Sequence, residues 1–461
     1  MVDSTEPPAA PAEGTIPYSY DLAGNLTEKT SATGGTWSYL YDSNGRLIAE
    51  INPLGDRTSY EYDPAGYQRA DVRWGNCHKT SYDENHRVWA EEDPLGNITS
   101  YLYDCFGRRT VIIDPLERRT TFVYDLWSGA VDAWIDAEGN RTGYSYRRGM
   151  FNRKCCLIGS VDALGNRVTL VRDGNGRILA QMDPLGQRTS YIYDAANRKI
   201  ATQFPDGRRV STVYDRTGKI IATVNQAGER TTYVYDAAGR RIATIDAMNR
   251  RITSLYYATG KLQATVDPLG NRVSYFYDAE GRRIATQDPL GNLTTTVYDA
   301  AGQRQATINA EGNRTTFVYD PAGRRIALQD ANGNLVGFAY DAADHFTAAT
   351  DPRGNRTSFS YDAAGQLASY IDAFGNVFTN IYDNNGQMIA SIDPSGSRFS
   401  YSYDARKQRT MLQDANGNRT SFSYDPLKRL QTAVNALGET VTYLMTQWEI
   451  TPHGWMLGAT G

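Results

Sequence analysis

The sequence predicts an all-β protein, a long antiparallel meander of hairpin repeats, and three observations carry that prediction. A Tyr-Asp pair returns every 21 residues, most copies hold two Asx-x-x-Gly signatures, and the stretches between them are rich in Thr, Val, Ile and Tyr. From the middle of the chain onward the mark does not slip. Tyr193, Tyr214, Tyr235, Tyr256, Tyr277, Tyr298, Tyr319, Tyr340, Tyr361, Tyr382, Tyr403 and Tyr424 are each 21 residues apart. Upstream it falls at Tyr20, Tyr41, Tyr62, Tyr82, Tyr103 and Tyr124, with one spacing of 20. A fixed period of this size marks a repeat architecture, in which each copy is one supersecondary unit and its neighbours supply the core. It argues against a chain built around one catalytic pocket.

One repeat shows how the hairpin arises. Between Tyr214 and Tyr235 lie two β-rich runs, 219–224 and 230–235, separated by Asp215-Arg216-Thr217-Gly218 and Asn225-Gln226-Ala227-Gly228. The leading Asp or Asn caps the turn through its side chain, and Gly supplies the left-handed residue that follows a type I turn. Gly218, Gly239, Gly281 and Gly302 are therefore expected at positive φ, and turns with Glu117 or Lys428 in that place are expected to be distorted or strained by about 1 kcal/mol. Elsewhere the second separator reads Asp-Pro-Leu-Gly, as at 183–186, 267–270 and 288–291, where Pro presets φ for the second turn position.

The odd period constrains register. Two three-residue loops would repeat the pairing every 20 residues and swap faces at each copy, so one extra residue is needed, as a longer loop or a bulge. We assign it to the second separator. One face then carries Ile220, Ala222, Val224, Thr231, Tyr233 and Tyr235, and the other Ile221, Thr223, Thr232 and Val234. Ala222 faces Tyr233, Ala264 faces Tyr275 and Ala306 faces Phe317. The Tyr face, with the larger side chains, is the expected core. The structural ladder is Tyr193, Tyr214, Tyr235, Tyr277, Tyr298, Tyr319, Tyr340, Tyr361, Tyr382, Tyr403 and Tyr424. About forty strands at about 4.8 Å each would run about 190 Å, and open sheets that long curl. The meander is expected to coil into a spiral β-shell or solenoid.

Composition agrees. The 461 residues include 32 Tyr and 42 Gly but 13 Phe, and Tyr favours strands as Gly favours turns. The net charge of -4 points to no nucleic-acid partner. The chain has 40 Arg and eight Lys, but Arg recurs beside Asp or Asn in each repeat, as a solvated, turn-pairing residue. Four Cys do not make a disulfide framework. No apolar run reaches the length of a membrane span. Residues 1–16, acidic and rich in Pro and Ala, read as a disordered tail and not as a signal peptide.

Tyr-Asp-Ala-Ala-Gly-Arg-Arg-Ile-Ala-Thr (235–244) and Asp-Pro-Leu-Gly-Asn-Arg (267–272) resemble YD repeats of the Rhs type. Such repeats occur in bacterial polymorphic toxins, in the B and C components of insecticidal toxin complexes and in teneurins. The resemblance covers about residues 17–445. It implies a β-cocoon able to enclose a polypeptide, which in toxin members is a C-terminal domain released by an aspartyl autoprotease. The repeats here fade after Tyr424, and no Asp-Pro-x-Gly-Leu motif follows, so the protease residues are not carried over.

The resulting organisation is a tail (1–16), divergent repeats (17–146), an irregular insertion (147–172), regular repeats (173–445) and a non-repeat segment (446–461). The insertion reads as a longer loop or a docking seam. Cys77, His78 and His86 form an incomplete zinc set. Asp and Asn in the Gly-bearing turns would suit calcium, but turn capping explains them without an ion. No nucleophile–base pair, P-loop or dinucleotide fingerprint appears. The expected function is a non-enzymatic structural shell of a secreted bacterial system, without cofactor or metal, located outside the cell or on its surface. Its partners would be polypeptide cargo or copies of itself through exposed strand edges. The alternatives are a self-assembling extracellular fibre and a surface module that binds glycans. Pro7, Pro8 and Pro11 would blunt one edge, and Trp448, Trp455 and Met456 would make the other end sticky.

Overall fold

The computed structural model describes residues 17–73, 75–148 and 154–443. Trp74, most of the loop after Arg148, both terminal segments and the edge-blunting or sticky residues assigned to them lie outside this range. The described chain forms 41 strands in one antiparallel sheet, from β1 (Tyr18–Tyr20) to β41 (Thr440–Thr442), with no helix. Each repeat contributes a six-residue strand ending at the Tyr and a five-residue strand, as in β19 (Arg209–Tyr214), β20 (Ile220–Val224), β21 (Arg230–Tyr235) and β22 (Arg241–Ile245).

Both turns of a repeat close in the same way. At the first, Asp236 N–H donates to the Arg240 carbonyl and Gly239 N–H to the Asp236 carbonyl, both at 3.0 Å. At the second, Asp267 and Gly270 make the equivalent bonds at 3.0 and 3.1 Å. Gly218, Gly239, Gly281 and Gly302 sit at φ +91°, +81°, +81° and +84°. Glu117 and Lys428 adopt φ +64° and +68° in the same place. Of the two expected outcomes, distortion or strain, the turns are not distorted: each N–H still bonds the leading Asp carbonyl at 2.9 Å. The cost therefore stays in the backbone of one residue.

The extra residue lies beside the first turn, which corrects the sequence assignment. Tyr214 pairs with Ile220 but Val213 with Ala222, so Ile221 bulges. Past the second turn Val224 pairs with Arg230 and Ala222 with Thr232, without a shift. The same bulge follows at Tyr235, Tyr256 and Tyr277. It overturns the expected cross-strand partners. Ala222 faces Val213 and Thr232, not Tyr233. Ala264 faces Leu255 and Ser274, and Ala306 faces Val297 and Thr316. Thr223 faces Thr231, and its hydroxyl lies 3.1 Å from the Tyr233 hydroxyl, so Thr223 shares the Tyr face.

The most thoroughly buried column is therefore alanine on the face opposite the tyrosines. Ala180, Ala201, Ala222, Ala243, Ala264, Ala285 and Ala306 recur at 21 residues and are all buried. A small side chain opposite Val, Leu or Phe of the preceding strand is a size match that a larger residue would break. Tyr233, Tyr235 and Tyr275 are half-buried, as are Thr223, Thr232 and Val234, whereas Phe317 is buried.

The irregular copies are local. Arg73 pairs directly with Asn76, a shortened second turn that yields the single spacing of 20. Tyr146 in β13 (Arg141–Arg148) pairs with Leu157 in β14 (Lys154–Val161), so the residues added in the insertion lengthen one hairpin. The strand that follows is regular.

The chain divides into two compact units, residues 1–119 with 190–376 and residues 120–189 with 377–461. Within the first, two stretches of ribbon lie side by side through their turns. The Glu280 carboxylate accepts the Thr33 N–H at 3.1 Å, and Arg118 Nη1 donates to Gln366 Oε1 at 2.6 Å. Gly35 is required at this contact, since a Cβ there would stand 2.3 Å from the Ala300 carbonyl oxygen. Within the second unit, Asn384 N–H donates to the Glu138 carboxylate at 3.1 Å and Asn385 Nδ2 to Asp136 at 2.9 Å. In every case a second turn meets a Tyr-Asp turn.

Candidate functional site

The repeated Tyr and Arg build a laced edge along the Tyr-Asp turns. A bulge interrupts the strand ladder and frees a backbone carbonyl. The Tyr hydroxyl of the next repeat takes it. Tyr235 donates to the Ile220 carbonyl at 2.7 Å, Tyr256 to Arg241 at 2.8 Å, Tyr361 to Phe346 at 2.8 Å and Tyr403 to Met388 at 2.8 Å. Tyr214, Tyr298, Tyr319, Tyr340 and Tyr424 make the same bond to the residue 15 positions upstream. Arg172 stands where a repeat lacks its Tyr, and its Nε donates to the Leu157 carbonyl at 2.7 Å, across the same span.

The residue after each turn glycine completes the lacing. Asp236 accepts the Arg240 N–H at 2.9 Å and the Arg240 Nε at 2.7 Å. These bonds, the backbone one foremost, hold the Asp236 carboxyl below the usual carboxylate range. The guanidinium then reaches one repeat onward, to the Tyr257 carbonyl at 3.3 Å, and lies 5.0 Å over the Tyr256 ring. Arg46, Arg87, Arg198 and Arg324 repeat the arrangement. Lys219 and Lys261 lie over Tyr235 and Tyr277, and His345 stacks on Tyr361 at 4.7 Å. Much of the arginine excess is therefore spent on turns and rings, each contact contributing about 0.5–1 kcal/mol at exposed sites.

Two residues before each Tyr lies the position of Tyr233, Tyr275 and Phe317, which the sequence reading took as core rings without following its pattern along the chain. Between residues 191 and 317 it alternates as Tyr191, Thr212, Tyr233, Ser254, Tyr275, Thr296, Phe317, and beyond them rings follow one another at Phe338 and Phe359. Lys199, Arg241 and Arg283 lie over Tyr191, Tyr233 and Tyr275 at 5.3, 5.4 and 5.7 Å. The signal was visible as a ring recurring two residues before the Tyr in most repeats. Thr80 occupies this position between Tyr60 and Tyr101, and a recess of about 620 Å³ opens there, lined by Asp71, Arg73, His78, Glu91 and His345. Tyr101 donates to Glu91 Oε2 at 2.5 Å. Burial first, and then that bond, push its hydroxyl up to about 12.

Cys77, Cys105 and Cys156 are free thiols. Cys77 and His78 lie in adjacent ladder positions of one strand, while His86 occupies a turn at φ +58° and stacks on Tyr67 at 4.5 Å. Among the described residues no group of three or more His, Cys, Asp or Glu is placed to hold a metal ion. The Asp and Asn of the second turns bind one another, as Asn271 Nδ2 does Asp267 at 2.8 Å. No described helix is long and apolar enough to cross a membrane.

A ribbon of Tyr-Asp hairpins, bulged beside one turn and laced along one edge, defines a YD-shell repeat protein, and the chain belongs to the YD-repeat family of the Rhs type. The RHS repeat model matches residues 20–56, 41–70, 172–209, 214–247 and 256–294, and the teneurin YD-shell model matches residues 290–435. Among solved structures, a crystal structure of TcdB2-TccC3-TEV is similar with a TM-score of 0.68 at 15% identity, covering 95% of this chain and 28% of that one. One of TcdB2-TccC3 gives 0.56 at 16%, covering 91% and 28%. A Tc holotoxin pore from Photorhabdus luminescens gives 0.51 at 12%, covering 92% and 31%. The likeness is one of fold, and the chain spans about 28% of the length of the first of these. No curated protein matches the chain in sequence.

Proposed function

We propose that this chain is a structural, non-enzymatic piece of YD shell that works outside the cell and holds or encloses a polypeptide against its Tyr face. The observation that carries the reading is the fold shared with TcdB2-TccC3-TEV along 95% of the chain. The face supports it. Rings in most repeats, Thr hydroxyls and a charged recess offer many weak contacts to an extended chain. Such contacts hold an unfolded polypeptide without specifying its sequence.

The test is protection. A labelled, reduced and alkylated polypeptide is mixed with the full chain, and its digestion by a protease is followed beside direct binding. The reading expects binding and slowed digestion. Neither binding nor protection would overturn it. Binding to a glycan array with no polypeptide bound would replace it with the adhesion reading.

A further inference from the structure

The second turns exist in two states within the first unit. In the stretch 17–119 they rest on the Tyr-Asp turns of the stretch 190–376, through the Thr33–Glu280 and Arg118–Gln366 contacts and the close approach of Gly35 to Ala300. The apolar tips of those docked turns, Leu54, Leu95 and Leu116, are 50, 49 and 42% exposed. In the stretch 190–376 the equivalent tips have nothing over them. Met248, Leu269, Leu290 and Phe374 are 72, 87, 87 and 91% exposed. Docking thus covers roughly half of such a tip, and a row of uncovered tips runs along the outer edge of the second stretch.

The matching edge shows the reverse pattern. Tyr-Asp turns that receive a partner turn are half-buried, as at 280–281, 301–302 and 363–365. The Tyr-Asp turns of the first stretch, 43–45, 64–66, 84–86 and 105–107, are exposed throughout, and Phe106 among them is 65% exposed. One unit therefore carries both halves of its own internal contact, unused, on opposite outer edges. Single exposed apolar residues need no explanation, but a periodic row whose docked counterparts are covered does.

We propose that these edges bind each other between copies of the chain, the Met248–Leu269–Leu290–Phe374 turns of one copy seating on the 43–107 Tyr-Asp turns of the next. The occupant is a second copy because the internal contact already demonstrates that these two turn types fit. The two edges differ, so the contact is heterologous and propagates head to tail. It uses turns, not the strand edges invoked from sequence, and it is independent of whether the Tyr face holds a polypeptide.

The experiment is sedimentation of the full chain over a concentration series, beside two variants. Leu269→Asp with Leu290→Asp blocks one edge, and Phe106→Asp blocks the other. All three residues are exposed turn tips, and circular dichroism verifies that each variant keeps its β structure. The wild-type mass should rise steadily with concentration. Each variant alone should stay monomeric, and an equal mixture of the two should stop at a 1:1 dimer through the one intact pair of edges. A wild-type chain that stays monomeric at the highest concentration reached would overturn the proposal and leave the edge to a different occupant. Variants that associate like the wild type, or a mixture that does not dimerise, would overturn it as well.

Discussion

The two turns of each repeat share one backbone design and differ in what they are tied to. Both close a three-residue loop with a left-handed residue at its end. The Tyr-Asp turn is followed by a bulge, and its Asp, Arg and Tyr bind the neighbouring repeat. In the second turn Asp267 holds its own Asn271, through the backbone N–H and through Nδ2, both at 2.8 Å. One edge of the ribbon is thus a continuous laced strip and the other a row of separate tips. An odd repeat makes the difference necessary. The extra residue must be absorbed somewhere, and the Tyr hydroxyl that satisfies the freed carbonyl is available only at the Tyr-Asp end.

That contrast can be broken most strongly where the bulge sets the core. Ala264 follows the bulged Gln263 and is fully covered. Ala264→Leu should cost about 1–3 kcal/mol through overpacking. Thr265→Leu, one residue on and on the Tyr face, should cost clearly less. Denaturant midpoints of the two variants check this, and equal losses would dissolve the distinction between faces.

Next in size is a gain. Lys428 holds φ +68° in a Tyr-Asp turn whose hydrogen bonds are already normal. Lys428→Gly should stabilise by about 1 kcal/mol by removing left-handed strain, seen as a raised thermal midpoint. Of similar size, and opposite in sign, is the effect of the Tyr hydroxyl. Tyr235→Phe keeps the ring beneath Lys219 and loses only the bond to the Ile220 carbonyl. The expected loss is about 0.5–1.5 kcal/mol, with faster amide exchange around the bulge at 220–222.

Acid should act on both turns. Hydrogen bonds lower the carboxyl of Asp236, from Arg240, and that of Asp267, chiefly from the Asn271 side chain. A folded-state value below the unfolded one, about 3.9, gives stability that is present above that pH and lost as pH falls through the lowered value. Asp236→Ala should flatten the acid limb more than Asp267→Ala, because only Asp236 positions a guanidinium that reaches the next repeat. A midpoint-against-pH curve below pH 4 separates them.

Much of the fold was legible because each repeat states it again. The 21-residue spacing, Asx-x-x-Gly and Tyr-Asp placed hairpins, turn residues and strand ends, and the same residues carried the family resemblance. Register was the part misread. Ile221 and Gln226 are equally silent about which end absorbs the extra residue, since a bulge and a longer loop leave the same count. The clue was Tyr235 itself, whose hydroxyl at one end of each repeat needs a free acceptor. Once Ala222 shifts by one place, the small-against-large match moves from Tyr233 to Val213. The docking of second turns on Tyr-Asp turns was not legible, because its partners, such as Thr33 and Glu280, stand 247 residues apart. Gly35, the extra glycine of its turn, was the one local trace of that contact.

Cross-linking tests the register directly. In a background without the native cysteines, Ala222→Cys is combined with Thr232→Cys in one variant and with Tyr233→Cys in another. Residues directly opposite on antiparallel strands lie within disulfide reach, whereas residues on opposite faces do not. A bulge beside the Tyr-Asp turn predicts a bridge in the Ala222–Thr232 variant and none in the Ala222–Tyr233 variant. A bridge in the second and none in the first would place the extra residue in the other turn and contradict the account.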